Sequence, residues 1–313
     1  MRGWWRDLTD LVLPAECGGC GTPRTVLCPE CRAALSGAVP RRVRPVPEPH
    51  GLPAVYAAAP YADEVRAALL AHKERGALAL AGPLGAALAG AVRAGLRESR
   101  RARTVRIVAS LSEGEGKGDG DGAVGGADVV PGAGPVLLVP VPSAPWAVRA
   151  RGHDPVRRMA LAAAAELRRT GSPARVVPVL RHGRAVADQS GLNSRQRLAN
   201  LGGALEVTAG GAGLLGGGRV VLVDDLVTTG ATLAEAARAV REATGPVRAV
   251  GGTTAVYRRA PWEVREERTV GSREERAKWT RDAPGMTAGN ALAWPVRAAV
   301  VAAAPDSFEK NRN

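Results

Sequence analysis

The chain has 313 residues, 45% of them hydrophobic and only 3% aromatic, and its net charge is +13. This length allows two domains, or one domain with appendages, and the core must be built from Ala, Val and Leu. The ten aromatic residues leave few platforms on which the bases of single-stranded nucleic acid can stack. No uninterrupted apolar run reaches the roughly 20 residues that span a bilayer, and residues 1–6 lack the apolar centre of a signal peptide, so we expect a cytoplasmic protein without membrane insertion.

The charge is unevenly distributed along the chain. Residues 261–313 hold nine Lys and Arg against eight Asp and Glu, so residues 1–260 carry the remaining +12. A basic body favours polyanionic partners such as phosphates, nucleotides or nucleic acid. The alternative is a soluble surface that is merely rich in Arg, since only four of the 43 basic residues are Lys.

All four cysteines lie close to the N-terminus. Cys17 and Cys20 form one C-x-x-C pair, and Cys28 and Cys31 form a second pair seven residues later. Four thiolates without a fifth ligand favour a structural, tetrahedral Zn²⁺ site, which would stabilise a segment too small to have its own core. Two dithiol redox pairs, an iron–sulfur cluster or incidental cysteines are the alternatives. We predict a small zinc-ribbon-like element over residues 1–45.

The rest of the chain alternates between helical and extended patterns. Helices are predicted over residues 64–72 and 78–96, joined at Gly76, and again over 156–169 and 231–243. Short apolar or β-branched runs of the kind found in parallel strands covered on both faces occupy residues 136–141, 175–180, 219–223 and 247–257. The pattern predicts an α/β fold, with a parallel sheet flanked by helices over residues 50–258.

Two segments do not fit this alternation. Residues 109–135 are rich in Gly and acidic side chains and nearly free of large apolar ones, so we predict a flexible insertion. Residues 259–313 alternate charge clusters with Gly, Pro and Ala and show little sustained periodicity, so we predict a disordered tail.

The most specific motif follows the apolar run at 219–223. Two adjacent carboxylates, Asp224 and Asp225, are followed by a short loop that leads directly into a helix and contains Thr228, Thr229, Gly230, Ala231 and Thr232. Carboxylates at the end of a strand can accept hydrogen bonds from vicinal ribose hydroxyls, while loop amides, Thr hydroxyls and the helix N-terminus can surround a phosphate. The alternative is an Asp-rich turn that caps an ordinary helix. Neither a Walker loop nor a dinucleotide fingerprint is present.

This motif resembles the phosphoribosyl pyrophosphate (PRPP) loop of type I phosphoribosyltransferases. Other segments are similar to the ComF family, whose members combine such a domain with an N-terminal four-cysteine element. Besides the cysteines and the PRPP loop, the resemblance rests on Tyr61 and Arg66 leading to Lys73 and Gly76, on Val139–Val141 with Pro142, and on Arg151-Gly152, Gln189 with Leu192, and Arg197 with Asn200. It covers most of residues 10–257 and implies a type I phosphoribosyltransferase-like sheet.

The resemblance also implies roles for particular residues. Asp224 and Asp225 would be the catalytic acids, and residues 140–147 would form the loop that cradles pyrophosphate, with Pro142, Ser143, Arg149 and Arg151 as its contacts. A Pro-rich surface turn with solvated arginines is the alternative for this loop. Residues 181–200 would form a hood over the site or, alternatively, a polar connecting helix. Lys73 is either a site residue or an ordinary exposed lysine.

One segment departs from the family pattern. Where the family shows R-G-F-N-Q, this chain has Arg151-Gly152-His153-Asp154-Pro155. A lone His in an Arg-rich loop is more often a phosphate or backbone contact than a catalyst, and the same holds for His182. The change weighs against a catalytic role for this segment.

The resemblance implies PRPP binding with Mg²⁺ and transfer of the phosphoribosyl group to a nucleobase-like acceptor. Such a step is a displacement at the anomeric carbon through an oxocarbenium-like transition state, in which positioning and charge stabilisation dominate. The alternative is a non-catalytic PRPP- or nucleotide-binding accessory of competence and DNA uptake, which would contact single-stranded DNA or a helicase partner.

Overall fold

The computed structural model describes residues 16–112, 134–184, 201–245 and 295–309. Six strands form the main sheet, in the order β1-β2-β8-β7-β3-β4, and β5 and β6 form a separate antiparallel ribbon. Every neighbouring pair in the main sheet is parallel except β1 and β2. In chain order the strands are β1 Arg41–Val43, β2 Ala54–Pro60, β3 Val136–Pro140, β4 Ala174–Val176, β5 Leu180–His182, β6 Leu205–Val207, β7 Arg219–Val227 and β8 Arg297–Ala303.

Helices connect the strands and cover both faces of the sheet. They are α1 Pro29–Ser36, α2 Asp63–Glu74, α3 Ala81–Ser112, α4 Pro145–Arg151, α5 Pro155–Arg169, α6 Gly211–Leu215, α7 Ala231–Thr244 and α8 Asp306–Glu309, with a 3₁₀ turn at Leu78–Leu80. The predicted break at Gly76 is confirmed, because its φ of +68° is a left-handed conformation that ends α2 before the next helix begins. The α/β class with a mostly parallel sheet is therefore confirmed.

The core has one layer on each side of the sheet. On one side, α1, α2, α3 and α5 pack against alternate strand residues such as Val221 and Val301. On the other side, α7 and the β5–β6 ribbon pack against the intervening residues, such as Leu222 and Val300. Strands covered on both faces must be apolar throughout, which explains the continuous Val, Leu and Ala runs in the sequence.

The helical stretch Leu78–Ser99 is long and apolar enough to cross a membrane, with a mean hydropathy of 1.4, and half of it is buried inside the protein. Leu84, Leu88 and Val92, three of its buried side chains, belong to the core layer beneath the sheet.

The prediction of a disordered tail is wrong for residues 295–309. Arg297–Ala303 forms β8, which lies between β2 and β7 near the middle of the sheet. Six consecutive residues of this strand are buried, because both of its faces are covered by helices. The charge clusters between residues 261 and 281 obscured this short Ala and Val run in the sequence. The rest of the predicted tail, and the whole strand predicted over 247–257, lie outside the described residues.

Three other boundaries differ from the predictions. The run at 175–180 is divided between two sheets, since β4 ends at Val176 and β5 begins at Leu180. Helix α3 continues to Ser112, into the segment assigned to the insertion, of which residues 113–133 lie outside the described part of the chain. Strand β1, within the predicted N-terminal element of residues 1–45, pairs with β2 of the main sheet. The cysteine-containing segment is therefore continuous with the α/β domain.

Candidate functional site

The two adjacent carboxylates lie near the carboxyl end of β7. This strand pairs with β3 on one side and β8 on the other, and it continues beyond Asp224 and Asp225 to Val227. Asp225 is buried and Asp224 is half-buried. The backbone N–H of Asp225 donates to Oδ1 of Asp224 at 2.9 Å, which fixes the orientation of that carboxylate. Ligands of open parallel sheets bind at this edge.

A lysine from a distant part of the chain completes this pair. Lys73, in the last turn of α2, donates from Nζ to Oδ2 of Asp225 at 2.9 Å. The sequence left the role of Lys73 open, because no local sequence pattern links it to Asp225, 152 positions away. Helix α2 follows β2, and its C-terminal end brings the ammonium to the carboxyl end of β7.

The three charges influence one another. Burial and the neighbouring charge of Asp225 raise the pKa of Asp224 well above its ordinary value, although Lys73 counteracts this. Burial lowers the pKa of Lys73, but the carboxylate of Asp225 more than offsets this, so that the pKa lies above its ordinary value. The ammonium of Lys73 balances one of the two carboxylate charges. The carboxylates can still accept hydrogen bonds from a polar ligand.

The loop after β7 forms a small hollow at the start of α7. A cavity of about 140 Å³ is lined by residues that include Asp224, Thr228, Thr229, Gly230 and Thr232. Helix α7 is 14 residues long, and its first N–H groups and its macrodipole favour an anion at this end. The chemistry of the hollow suits a phosphate group.

Gly230 allows the loop to turn into the helix. Its φ of +74° is left-handed, and a Cβ at this position would lie 3.1 Å from side-chain carbons of both Leu52 and Pro45. A side chain would therefore be disfavoured by the backbone conformation and crowded by the loop before β2. Thr229 Oγ1 accepts a weak hydrogen bond of 3.5 Å from the N–H of Ala231, the first residue of α7.

The residues predicted to contact pyrophosphate divide into two groups. Pro142 and Ser143 follow β3 directly, and the backbone of Val141 bonds to Val223 of β7, so this loop begins beside the two carboxylates. Arg149 is exposed on α4. Arg151 ends α4, and its guanidinium makes two hydrogen bonds to Glu74, of 2.8 and 3.2 Å. This pairing fixes Arg151 to the residue that follows Lys73.

The segment that departs from the family pattern has structural roles. Gly152 ends α4 with a φ of +72°. Asp154 is the N-cap of α5, since its Oδ1 accepts from the N–H of Arg157 at 3.0 Å, and Pro155 occupies the first helical position. Nε2 of His153 lies 3.3 Å from the carbonyl oxygen of His72, and its Nδ1 lies 3.1 Å from that of Arg151. Of the two contacts considered for this histidine, phosphate or backbone, the structure shows the backbone contact.

His72 is buried beside His153, with the two ring centroids 5.9 Å apart. Its ring nitrogens lie 3.3 Å from the carbonyl oxygen of Ala77 and 3.4 Å from that of Pro155. Burial lowers the pKa of His72, which favours the neutral ring with one donating nitrogen. These contacts hold the end of α2 against the turn between α4 and α5.

The β5–β6 ribbon is anchored at two points. Nε2 of His182 donates to the carbonyl oxygen of Pro142 at 3.2 Å, so of the two contacts considered for this histidine, phosphate or backbone, the structure shows the backbone contact. Glu235 of α7 is buried and accepts from the N–H of Leu205 at 3.0 Å and from Arg238 at 2.8 Å. Of the predicted hood, 181–184 are described, and residues 185–200 lie outside the described part of the chain.

The four cysteine sulfurs form a compact cluster. Their Sγ atoms all lie within 4.8 Å of one another, and those of Cys20 and Cys28 are 3.6 Å apart. Four thiolates bound to one Zn²⁺ at about 2.3 Å would be roughly 3.8 Å apart, so the arrangement is compatible with one tetrahedral metal. Cys17, Cys28 and Cys31 are buried, whereas Cys20 is exposed. The structure thus brings together the four predicted ligands.

Backbone N–H groups favour the thiolate form of Cys17. Although burial raises the pKa of Cys17, N–H groups of Cys20, Cys28 and Gly19 lower it to about 6. Burial and the neighbouring thiols raise the pKa of Cys31, so a bound cation would favour its thiolate form. A Cβ on Gly19 would lie 2.6 Å from Sγ of Cys31, so this glycine lets the loop approach the cluster.

The sequence interpretation missed two ion pairs that shape the site. Glu74 with Arg151 and Glu235 with Arg238 were not singled out. The second pair had a local signal, an acidic and a basic residue three positions apart on a predicted helix. The first pair joins residues 77 positions apart and had no such signal.

Comparisons of this chain with models of known protein families and with curated proteins found no match.

Proposed function

We propose that this chain is a ComF-type, phosphoribosyltransferase-like protein that binds PRPP with Mg²⁺ and transfers the phosphoribosyl group to a nucleobase-like acceptor. The observation that carries this proposal is the placement of Asp224 and Asp225 at the carboxyl end of β7, directly before the hollow at the start of α7. A ribose 5-phosphate has two vicinal hydroxyls at one end and a phosphate at the other. The site offers hydrogen-bond acceptors for the former and helix N–H groups for the latter.

In the proposed reaction, Asp224 and Asp225 accept hydrogen bonds from the ribose hydroxyls and hold the sugar in place. The loop from Thr228 to Thr232 holds the 5-phosphate. We assign the pyrophosphate group to the loop from Pro142 to Ser143, which follows the neighbouring strand β3. Because the step is a displacement through an oxocarbenium-like transition state, these residues act by positioning and by charge stabilisation.

Magnesium would enter with the ligand and neutralise the charge on the leaving pyrophosphate. The donor set fits this ion, since Mg²⁺ prefers oxygen ligands and keeps several waters, through which the two carboxylates can orient the bound ligand. We further propose that the four cysteines hold one structural Zn²⁺, because a site with four thiolates has no open position for catalysis. The free thiols also fit a reducing, cytoplasmic compartment.

The proposal is tested by isothermal titration of the zinc-loaded protein with PRPP and Mg²⁺, followed by a pyrophosphate-release assay across the common nucleobases. We expect binding that depends on Mg²⁺, and release with at least one acceptor. The variant Asp225→Asn is expected to lose PRPP binding while it keeps its fold. Asp154→Asn is a matched control. Asp154 is the N-cap that precedes α5, and Asn and Asp cap helices equally well. Unchanged affinity in Asp225→Asn would refute the assignment of the site.

A second candidate function is favoured by the segment from Arg151 to Pro155. Arg151 is engaged by Glu74, and the histidine, aspartate and proline that follow contact the backbone or start a helix. A PRPP- or nucleotide-binding accessory of DNA uptake, which contacts single-stranded DNA or a helicase partner through its basic body, would not need catalysis. DNA binding should fall steeply with salt and survive Asp225→Asn, whereas PRPP binding should require Mg²⁺ and be lost in that variant. PRPP binding without pyrophosphate release would favour this alternative.

A further inference from the structure

The C-terminal end of α2 is held from three directions. The carbonyl of His72 lies against His153, Lys73 pairs with Asp225, and Glu74 pairs with Arg151. Three consecutive residues of one helix thus contact β7 and the turn between α4 and α5. These contacts fix the position of the Lys73 ammonium relative to the two carboxylates.

Lys73 has hydrogen-bonding capacity that the described residues do not use. An ammonium carries three N–H donors, and one of them is directed at Asp225. Within the described part of the chain, the other two have no partner. The side chain of Lys73 is 36% exposed, whereas that of Asp225 is 11% exposed. The buried carboxylate of Asp225 therefore holds an ammonium whose side chain is partly open to solvent.

We propose that Lys73 binds the pyrophosphate group of the ligand while Asp225 holds its ammonium in place. This inference rests on the proposed function of the site. In PRPP the pyrophosphate is attached to the carbon next to the one that carries the 2-hydroxyl. Asp225 accepts hydrogen bonds from the ribose hydroxyls, and Lys73 lies beside it. Lys73 therefore lies next to the pyrophosphate. The 5-phosphate is at the opposite end of the sugar.

Electrostatics supports the same arrangement. Two adjacent carboxylates repel a ligand that carries several negative charges, so a nearby cation is needed to admit it. Lys73 is in direct contact with Asp225, and Arg151 lies close enough to lower the pKa of Lys73 by repulsion. The two cations therefore share one side of the site, and Glu74 balances the charge of Arg151.

The role of Lys73 in the reaction is to stabilise charge. The bond between the anomeric carbon and the pyrophosphate oxygen breaks, and its electron pair leaves with the pyrophosphate. A nitrogen of the acceptor forms the new bond to the carbon, and its proton passes to solvent. Lys73 donates hydrogen bonds to the leaving oxygens, whose charge grows during the step, and it keeps its own proton.

The test compares two probes that occupy different ends of the site. Wild type, Lys73→Met and Lys73→Arg are titrated with inorganic pyrophosphate and Mg²⁺, and separately with ribose 5-phosphate. Arg75→Met is the matched control, since it also removes one positive charge and lies two residues from Lys73. The side chain of Arg75 contacts the carbonyl of Ala67 instead of Asp225. Thermal unfolding of each variant shows whether it is folded.

We expect Lys73→Met to weaken pyrophosphate binding by about 10- to 100-fold, the usual effect of losing a charged hydrogen bond, and to change ribose 5-phosphate binding by less than about threefold. Lys73→Arg should recover part of the loss, and Arg75→Met should behave as wild type. Equal losses for both probes would mean that Lys73 acts only through Asp225, and no loss would mean that the ion pair is purely structural. Either result overturns the inference. A wild-type protein that binds no PRPP would instead refute the proposed function itself.

Discussion

The carboxylate of Glu235 and the guanidinium of Arg238 pair through two hydrogen bonds of 2.8 Å, and both residues also bond to the backbone of Leu205. One turn of α7 thereby fixes the edge of the β5–β6 ribbon. The ribbon is small and has few other polar anchors among the described residues. The ion pair of Glu235 and Arg238 therefore contributes to the stability of this corner.

Replacing Glu235 with Gln should lower the free energy of unfolding by about 2 kcal/mol, because a buried acceptor of charged hydrogen bonds is lost while the exposed side of Arg238 remains screened by water. Chemical denaturation followed by circular dichroism measures this change. Glu242→Gln is the control, since Glu242 is an exposed partner of the same arginine and its loss should cost less than about 0.5 kcal/mol. Equal effects of the two variants would contradict the assignment.

The same pair predicts a pH dependence. Burial raises the pKa of Glu235, but hydrogen bonds from Arg238 and from the N–H of Leu205 more than offset this, so the pKa lies below its ordinary value. A carboxyl with a depressed pKa stabilises the folded state at pH values above its pKa in the unfolded chain, about 4.3. This contribution is lost as the pH falls through the pKa of the folded state. The stability difference between wild type and Glu235→Gln should thus be constant near neutrality and shrink below about pH 4. A difference that is constant down to pH 3 would contradict the prediction.

Gly230→Ala should disturb both folding and ligand binding. The left-handed backbone at this position costs a residue with a Cβ about 1–2 kcal/mol, and the new methyl group would crowd Leu52 and Pro45. We expect a lower thermal midpoint and weaker binding of ribose 5-phosphate. Gly213→Ala in α6 is the control, because a Cβ there meets nothing within 4 Å and Ala favours a helix. A Gly230→Ala variant as stable as wild type would show that the loop readily adopts another conformation.

The cysteine cluster should bind one zinc ion per chain and depend on it for stability. Cys28→Ser removes one thiolate but retains an oxygen that can cap α1, the role that Cys28 also has through the N–H of Cys31. Metal analysis of Cys28→Ser should therefore show zinc loss, and calorimetry should show a lower unfolding temperature. The N-cap of α1 should be retained. Ser36→Ala, at the exposed end of the same helix, should retain its zinc. Full zinc occupancy in Cys28→Ser would argue against a four-thiolate site.

Asp154→Ala should destabilise the protein by about 1 kcal/mol, because α5 loses its N-cap, and Asp154→Asn should cost only a few tenths. Denaturant titration distinguishes these values. PRPP affinity should be the same in wild type and in both variants if the segment from Gly152 to Pro155 is structural. A specific loss of affinity in a folded Asp154→Ala variant would assign this segment a binding role.

The parts of the site that depend on neighbouring residues could be predicted from the sequence. The loop from Asp224 to Thr232 is continuous, so the end of an apolar strand, two acids, a glycine and a helix could all be recognised in order. The four cysteines are similarly local. Their spacing was sufficient to predict that the sulfurs would come together.

Contacts between distant segments could not be predicted in the same way. The pairing of Lys73 with Asp225 depends on where α2 ends relative to β7, which follows from sheet order and helix length rather than from any local pattern. Strand β8 was missed because composition over a long window concealed a short run of Val and Ala. Alanine is a weak indicator of strands, and only burial on both faces explains its use here.

The position of β8 also bears on how the protein is synthesised. Strands β2 and β7 are not neighbours in the sheet, because β8 lies between them. During translation the chain carries both carboxylates and the whole loop from Thr228 to Thr232 long before residues 297–303 have been made. Until then, each of the two flanking strands has an open edge on which an apolar strand can dock. The nascent chain must therefore keep these edges from pairing with other chains until residues 297–303 emerge from the ribosome.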